Sequence, residues 1–462
     1  MTGRVPGPAA TAEGPLAPSG APAAAPGTSA ADAGTLAAAP GASAADAAAG
    51  IWRNELLAGL DPAALAAMYG TPLYVYDLGM VEARGRRLRS VLPARFDVAY
   101  AAKANPSLAV IAAAIASGAG VDVASSGELE AALRAGASPR TIVVTGPGKS
   151  DGLLRRATAI GVRAIVVESL GELERLERAA ESGGTVAGVL FRLPAHAGQT
   201  FGMSWEDAVD GARRACASSR LEPLGVHAFG VSAERDPGVL AAHVERTVEA
   251  GRHLAGAAGF PLRLVDAGGG LGVPYADGDD ELDLHAFGCL LAGLDEAWRA
   301  EPSTRAMRLV LEPGRFLTAP AGAYLARVVD VKRLHGRHVA VLDGGINHLL
   351  APALVGRHHR LQLAGSASPD GRALVPTDLV GPLCTSLDVL DRLDAFPETR
   401  PGDLVVALDV GAYGFTQSMP WFLSHEGPAE IGVSAGRAHL LRARLDPGAM
   451  VAAQVIPTAP ES

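Results

Sequence analysis

Short apolar runs alternate with stretches of helical spacing from about residue 97 to residue 314. Eight runs, each almost unbroken in apolar residues, predict strands at Val98–Lys103, Gly120–Ser125, Thr141–Gly146, Ala164–Ser169, Val186–Pro194, Pro223–Gly230, Leu262–Gly269 and Met307–Gly314. The segments between them, such as Gly127–Ala135, Gly171–Ala180 and Val239–Ala257, repeat apolar residues at helical intervals. Unbroken apolar strands are typical of a parallel sheet covered by helices, and eight βα units close into a barrel. The pattern therefore predicts an α/β fold with a (βα)8 TIM barrel over residues 79–316.

The pattern changes after Arg315, where strands follow one another without intervening helices. Such strands are predicted at Tyr324–Arg333, His338–Asp343, Arg360–Leu363, Asp403–Asp409 and Arg437–Leu445. They indicate a C-terminal antiparallel β domain over residues 317–450. Residues 51–78 form a lead-in whose strand, Thr71–Tyr76, can belong to the same β domain, and residues 451–462 are predicted to be a flexible tail.

Residues 1–50 consist almost wholly of Ala, Gly, Pro, Ser and Thr, and Arg4, Glu13, Asp32 and Asp46 are the only charged side chains among them. Such a composition buries too little apolar surface to offset the entropy of ordering, so a disordered tail is predicted. A signal peptide is not indicated, because the segment lacks a basic start followed by bulky apolar residues.

The overall composition narrows the classes of function. With 40 basic and 49 acidic side chains the formal net charge is −9, which argues against a nucleic-acid partner. Three cysteines lie far apart without CxxC pairs, so neither a disulfide framework nor a metal site is predicted, and a reducing cytoplasm fits best. No apolar run reaches the ~20 residues that a bilayer span requires, so no membrane association is expected.

Polar side chains cluster where the predicted barrel strands end, which is where βα barrels carry their chemistry. They are Lys103 and Asn105 on strand one, Asp122 on strand two, Arg192 on strand five, His227 on strand six, Asp266 with Gly268–Gly272 on strand seven, and Glu312 with Arg315 on strand eight.

Lys103 stands in an otherwise apolar strand, where a charged amine is costly unless it is paired or neutralised. One interpretation is a lysine whose ammonium reaches solvent. The other is an amine with a lowered pKa that acts as a nucleophile towards a carbonyl group.

Two glycine-rich segments are candidates for binding phosphate. Gly268–Gly270 lies at the end of strand seven, where phosphate loops recur in barrels, although glycine runs are also common in tight turns. Gly146–Ser150 ends like a nucleotide-binding P-loop, but Val143 stands where that motif needs glycine, so nucleotide binding there is rejected.

Glu312 and Arg315 flank a Pro-Gly turn, and an ordinary surface ion pair would explain them equally well. Together with a lysine and a phosphate loop, however, they match what pyridoxal 5'-phosphate (PLP) requires. A lysine holds its aldehyde, glycine amides and an arginine hold its phosphate, and a carboxylate faces its ring nitrogen.

These segments resemble the fold type III PLP-dependent decarboxylases that act on ornithine, arginine and meso-diaminopimelate. The resemblance covers about residues 70–445 and rests on six motifs in order: Tyr100–Asn105, Val121–Glu128, Gly268–Gly272, Glu312–Arg315, Gly381–Cys384 and Gly411–Gly414. It implies an alanine-racemase-like barrel, PLP as cofactor and a β domain that carries a catalytic cysteine. In that family the cysteine segment enters the partner subunit's site, so a homodimer with shared active sites is expected.

The resemblance also assigns roles to residues. Lys103, Glu312 and Cys384 are the expected catalytic residues, although a lone cysteine such as Cys384 is more often a buried apolar filler. The residues expected to bind the cofactor are Lys103, Asp122, Arg192, His227, Phe229, Ser232, Gly268, Gly269, Gly270, Glu312, Arg315 and Tyr413.

Three departures from the family pattern bear on the substrate. Phe229 stands where the family has a histidine that stacks on the cofactor, and it can stack but cannot donate a hydrogen bond. Diaminopimelate enzymes carry an arginine that grips the distal carboxylate and an acid after the cysteine, and these places hold Ala351 and Thr385. The segments Phe422–His425 and Pro428–Glu430 resemble a branch of the family in secondary metabolism.

We therefore expect an α-decarboxylase for an amino acid or derivative, such as a carrier-protein-tethered amino acid or a siderophore or antibiotic intermediate. Three alternatives remain: a diaminopimelate decarboxylase of lysine biosynthesis, an amino-acid racemase, and a non-catalytic PLP carrier protein. Glu312 opposes the racemase, because racemases of this fold place an arginine at the ring nitrogen. The more than 100 residues after Arg315 oppose the carrier, which resembles the barrel alone.

Overall fold

The computed structural model describes residues 61–196, 198–276, 278–364 and 372–456. The tail predicted over residues 1–50 lies outside the described residues. The described residues belong to one compact unit, Ala47–Ser462. The helix Pro447–Ala452 crosses the boundary at residue 450 where a flexible tail was predicted to begin. None of the helices in the described residues is long and apolar enough to cross a membrane.

A closed barrel of eight parallel strands occupies the first part of the chain, as predicted. Its strands are β2 (Phe96–Ala101), β3 (Gly120–Val123), β4 (Ile142–Val144), β5 (Ala164–Val167), β6 (Ala187–Arg192), β7 (Leu221–His227), β8 (Leu264–Asp266) and β9 (Arg308–Leu311). β9 pairs with β2 through Phe96–Leu309 and Val98–Leu311, which closes the ring.

Helices cover the outside of the barrel. Those before and within it are α1 (Pro62–Tyr69), α2 (Leu78–Val91), α3 (Leu108–Ala116), α4 (Ser126–Arg134), α5 (Asp151–Ile160), α6 (Leu170–Gly183), α7 (Trp205–Ala217), α8 (Pro237–Ala258) and α9 (Leu284–Ala300). Serines cap several of these helices, and Ser125, Ser150, Ser169 and Ser204 each accept a hydrogen bond from the amide three residues later. This satisfies a backbone donor that the first helical turn leaves without a partner.

The second part of the structure is a sheet of nine strands. They are β1 (Leu73–Asp77), β10 (Gly322–Leu334), β11 (Arg337–Leu342), β12 (Leu361–Ala364), β13 (Leu374–Val380), β14 (Val389–Pro397), β15 (Leu404–Leu408), β16 (Ala429–Ser434) and β17 (Arg437–Arg442). The short helices α10 (Arg315–Thr318), α11 (Ala351–Val355) and α12 (Pro447–Ala452) complete the described elements.

Strand β1, which precedes the barrel in sequence, lies inside this second sheet. It pairs antiparallel with β10 and parallel with β16. The prediction of an antiparallel domain is confirmed for most of its ladders, but β1–β16 and β11–β13 are parallel. The prediction missed β13, β14 and β16, because β13 contains Pro376, β14 mixes charged with apolar residues, and β16 contains a glycine.

The register of the barrel strands determines which side chains face its interior. Ala99, Val143, Val166, Leu190, Leu264 and Val310 belong to one buried apolar cluster. Because side chains alternate across a strand, residues two positions further along point to the same face. Glu312, which directly follows β9, continues the parity of Val310. The polar residues at the strand ends therefore lie directly next to the apolar interior of the barrel.

Candidate active site

A small cleft opens at the carboxyl ends of the barrel strands. Its lining combines charged, aromatic and glycine residues: Ala101, Lys103, Phe229, Ser232, Ala233, Gly270, Leu271, Glu312, Gly314, Arg315 and Tyr413. Lys103 and six other residues that the sequence predicts to bind a cofactor thus border the same cavity. The wall nearest the β domain is Tyr413, whose amide donates to the Ala104 carbonyl oxygen at 2.7 Å.

Lys103 lies just beyond β2, on the 3-10 turn Ala102–Ala104, rather than in the strand as the sequence predicted. Its Nζ is 3.3 Å from Asp122 Oδ2 and 5.9 Å from the centre of the Phe229 ring. The Asp122 carboxylate raises the pKa of Lys103, and this outweighs the lowering by burial. The expectation of a lowered pKa is therefore wrong for the cofactor-free site, because the strand end places a carboxylate next to the amine.

Three carboxyl groups and one imidazole are packed together below the cavity. Glu312 Oε2 is 3.5 Å from His227 Nε2, and both side chains are buried. Burial would raise the pKa of Glu312, but His227 and Lys103 outweigh it and lower this pKa to about 2. Burial and the Glu312 charge raise the pKa of Asp266 well above its usual value and that of Asp122 to about 6. Glu312 thus keeps its charge at neutral pH, whereas Asp266 retains a proton.

The polar atoms in this group test whether PLP fits the site. Among the described residues, His227 Nδ1 is buried without a hydrogen-bond partner. The Glu312 and Asp266 carboxyl groups lie within hydrogen-bond reach of each other, and the proton that Asp266 retains can be donated to Glu312. A buried atom without a partner is costly unless a ligand supplies one. A protonated ring nitrogen would provide a further donor for the charged Glu312 carboxylate. The three side chains also lie close enough to hold a metal ion, with ligand atoms within 4.8 Å of one another.

The glycine loop after β8 approaches neighbouring backbone so closely that side chains are excluded. A Cβ on Gly269 would lie 2.2 Å from the Glu312 carbonyl oxygen, and one on Gly270 2.5 Å from that of Val231. Gly268 and Gly270 also have positive φ angles of 63° and 100°. The loop is therefore a bare backbone surface, which suits close contact with a phosphate group.

Arg315 and Tyr413 stand at the outer edge of the cavity. The Arg315 guanidinium lies 4.8 Å from the centre of the Tyr413 ring, and its Nη1 donates to Tyr275 Oη at 2.7 Å. The Arg357 guanidinium also lies over the Tyr275 ring, 4.9 Å from its centre. Sequence reasoning missed Tyr275 and Arg357, because both lie in loops without a motif and are distant from each other in sequence.

Other predicted site residues lie away from the cavity. Arg192 pairs with Glu168 at 2.6 Å and lies 4.7 Å from the Phe201 ring, and it does not line the cavity. Gly268, Gly269, Asp122 and His227 support the cavity from behind its lining. Lys149 of the rejected P-loop-like segment is buried against Glu172, which explains its presence structurally.

Cys384 is exposed, and it is absent from the cavity lining of its own chain. Its loop is held by Asp388, which accepts hydrogen bonds from the amides of Ile346 at 2.8 Å and Leu383 at 2.7 Å. Ala351 is buried at the start of α11, six residues before Arg357. The buried cysteine filler considered from the sequence is therefore wrong.

Comparison with known proteins agrees with this geometry. Residues 78–319 match the family described as "Pyridoxal-dependent decarboxylase, pyridoxal binding domain". The diaminopimelate decarboxylase of Methanothermobacter thermautotrophicus is 33% identical over 405 residues, covering 84% of this chain and 92% of that protein. An L-glutamyl acyl-carrier-protein decarboxylase of Niallia circulans is 31% identical, covering 86% of this chain and 97% of that protein.

A solved structure supports the same relationship. The crystal structure of diaminopimelate decarboxylase from Helicobacter pylori complexed with L-lysine has a TM-score of 0.76 and 25% identity, and the match covers 84% of this chain and 98% of that one. Barrel, β domain and sequence thus agree over almost the whole length of these relatives. The chain belongs to the fold type III family of PLP-dependent decarboxylases.

Proposed function

We propose that this protein removes the α-carboxylate of a modified or carrier-tethered amino acid, and that free diaminopimelate is a poor substrate. The observation that carries the decarboxylase part is the buried Glu312 carboxylate, which keeps its charge and lines the cavity. Bound PLP supplies an electron sink for the electron pair left when CO₂ departs. A carboxylate at the ring nitrogen favours that chemistry over racemisation, because racemases of this fold place an arginine at the ring nitrogen.

Each residue of the site has one part in this proposal. Lys103 would hold the cofactor aldehyde, and Asp122, 3.3 Å from its Nζ, would orient the lysine. Glu312 holds the proton on the ring nitrogen, while His227 and Asp266 fix the carboxylate in place. The glycine loop and Arg315 bind the phosphate, and Phe229 and Ser232 border the cavity beside the ring.

Cys384 is proposed to deliver a proton to Cα in the site of a partner subunit. Its exposure and its absence from the lining of its own cavity support this, because a proton donor must reach the reacting atom. The protein would then be a homodimer with shared active sites.

The proposal about the substrate rests on missing side chains. Ala351 cannot form the charge-assisted hydrogen bonds of an arginine clamp, which contribute roughly 1.5 to 3 kcal/mol each. Thr385 cannot pair with a distal amine, and the next acid, Asp388, is bound by backbone amides. The distal amine of diaminopimelate would therefore lack a partner from this loop.

The test is release of CO₂ from diaminopimelate and from a glutamyl group on a carrier protein, at equal concentration in competition. The proposal expects the carrier-linked or otherwise modified substrate to be used preferentially. Efficient conversion of diaminopimelate to lysine would contradict the proposal and establish the second candidate, diaminopimelate decarboxylase. That candidate is favoured by the names of several relatives.

A second experiment tests the site itself. Borohydride treatment of the purified yellow protein should fix PLP covalently on Lys103, and peptide mapping should find the label there. A label on another lysine, or protein without bound cofactor, would contradict the assignment. Lys149 is the matched control, because it is a buried lysine outside the cavity.

A further inference from the structure

His243 is a buried histidine that the proposed chemistry does not use. It lies on the inward face of α8, and only 3% of its surface is exposed. Its Nε2 donates a hydrogen bond to the Ala267 carbonyl oxygen at 3.0 Å. Ala267 lies one residue beyond the end of β8 and directly before Gly268. The imidazole therefore holds the backbone at the point where the glycine loop begins.

The His243 ring also packs against the turn that carries Phe229. A Cβ on Gly230, the residue after Phe229, would lie 2.9 Å from both Cε1 and Nδ1 of His243. The imidazole thus occupies the space that a side chain at position 230 would need, and the bare backbone of the turn rests on the ring. Phe229 itself borders the cavity.

The two segments that His243 contacts are also close to each other. A Cβ on Gly268 would lie 2.9 Å from the Ala228 carbonyl oxygen and 3.0 Å from Phe229 Cδ2. At this separation a small shift of either segment would open or close the gap between the glycine loop and the Phe229 ring. A buried group that contacts both segments from behind the cavity therefore sets the spacing of two of its walls.

The imidazole makes these contacts as a neutral group. Burial lowers the pKa of His243, and the charges of Arg246 and His227 add to this effect, while the carbonyl oxygens of Ala267 and Ala228 oppose it. A neutral imidazole carries one proton, and the hydrogen bond to Ala267 requires that proton on Nε2. None of the ion pairs among the described residues includes His243, so its polar contacts are with the backbone of the site.

We propose that His243 is a positioning residue, which holds the glycine loop and the Phe229 turn at the separation that lets both contact the cofactor. It acts through these two backbone segments and does not itself line the cavity. The inference rests on the proposed assignment of the glycine loop and Phe229 to cofactor binding.

Titration of cofactor-free protein with PLP tests this role without turnover. His243→Leu keeps a buried side chain but removes the donor to Ala267, so the Kd for PLP should rise by about tenfold or more. His243→Gln can place an amide N–H near the position of Nε2 and should bring the Kd to within about threefold of wild type. Circular dichroism at the absorption band of the bound cofactor should weaken in the leucine variant and recover in the glutamine variant.

A matched variant separates this role from a merely structural one. His338 in the β domain is also buried, and its Nε2 is 2.8 Å from the Thr399 hydroxyl oxygen. His338→Leu should lose stability in urea but keep the wild-type Kd and dichroism. If His243→Leu does not fold, His243→Asn replaces it, because its shorter amide does not reach Ala267 and the glutamine variant remains the rescue. A wild-type Kd in the leucine or asparagine variant, or an equal loss in His338→Leu, would overturn the proposal.

Failure of this inference is distinguishable from failure of the proposed cofactor site. Gly269→Ala changes the glycine loop itself, and its Kd for PLP is measured beside the His243 variants. Weak binding in Gly269→Ala together with wild-type binding in the His243 variants would leave the site standing and refute the positioning role. Wild-type binding in all of them would refute the assignment of the loop to the cofactor, and the role of His243 with it.

Discussion

The Glu312 side chain is buried, yet it keeps its negative charge because His227 and Lys103 lie close by. Its neighbours Asp266 and Asp122 respond in the opposite direction, since three carboxylates in one buried cluster cannot all ionise cheaply. The same cluster thus contains one acid that stays charged, one whose pKa lies near 6, and one that retains its proton. This division allows one carboxylate to face a cofactor nitrogen while the others act as its supports.

Replacing Glu312 by glutamine should separate cofactor binding from catalysis. The variant should retain PLP, because the glycine loop and Arg315 are unchanged, but CO₂ release should fall by at least about a hundredfold, because an amide does not hold the ring proton. Glu430→Gln is a matched control, since Glu430 is also buried but pairs with Arg442 in the β domain. Near-normal turnover in Glu312→Gln would favour the racemase alternative.

Asp122 should leave a signature in the pH dependence of stability. Its pKa is raised to about 6 in the folded protein from 3.8, so between these values the folded state holds more protons than the unfolded state. Stability from this group therefore falls as pH rises from about 4 to 6 and is constant above. Relative to Asp122→Asn, wild-type cofactor-free protein should lose about 2 kcal/mol of unfolding free energy between pH 4 and 7. Urea unfolding measures this, and a difference that does not change with pH would contradict it.

At the scale of elements, the site is built by strand ends above an apolar barrel floor. Alternation along β9 places Glu312 on the parity of the interior residue Val310, while Lys103 follows β2 on the 3-10 turn Ala102–Ala104. The glycine loop after β8 then passes close to the backbone after β9. The functional residues are thus gathered where the barrel strands end.

Gly269→Ala should show how tightly the glycine loop is packed. The added Cβ would lie 2.2 Å from the Glu312 carbonyl oxygen, so one of the two backbone segments must move. We expect cofactor affinity to fall more than tenfold in a PLP titration. Gly293→Ala on α9 is the control, because its Cβ meets nothing within 4 Å, and it should bind PLP normally. Unchanged affinity in Gly269→Ala would show that the loop does not hold the cofactor.

The strand-end residues could be predicted from sequence because each follows an apolar run and the barrel gathers such ends at one face. Arg357 and Tyr275 could not be predicted in this way. They meet only because the β domain carries the loop after α11 to the barrel loop after β8, and no local pattern records this approach. Strand β14 was missed for a related reason: the order of its charged and apolar residues does not follow a simple amphipathic pattern.

At the scale of the whole molecule, the barrel interrupts the second sheet. The chain enters that sheet with β1, completes the barrel, and returns with β10, so the barrel is continuous in sequence but the second sheet is not. The loop that carries Cys384 belongs to the second part and is exposed on the single chain. A complete active site is therefore proposed to need two copies of the chain.

Mixing two inactive variants tests this arrangement. Lys103→Ala and Cys384→Ala should each be nearly inactive alone, but hybrid dimers should contain one site with both residues intact. Random exchange of subunits should restore about a quarter of wild-type activity. A mixture of Lys103→Ala with the double variant is the control and should remain inactive. Failure of the first mixture to recover, with subunit exchange verified, would place Cys384 in its own chain's site.

The interrupted sheet also has a consequence for synthesis on the ribosome. Strand β1 is made about 350 residues before its parallel partner β16. At roughly 5 to 20 residues per second, that interval is roughly 20 to 70 s. β1 lacks partners on both edges while the barrel is being translated, because β10 also comes after the barrel. The nascent chain must therefore protect an apolar strand, Leu73–Tyr76, until its last third has been translated.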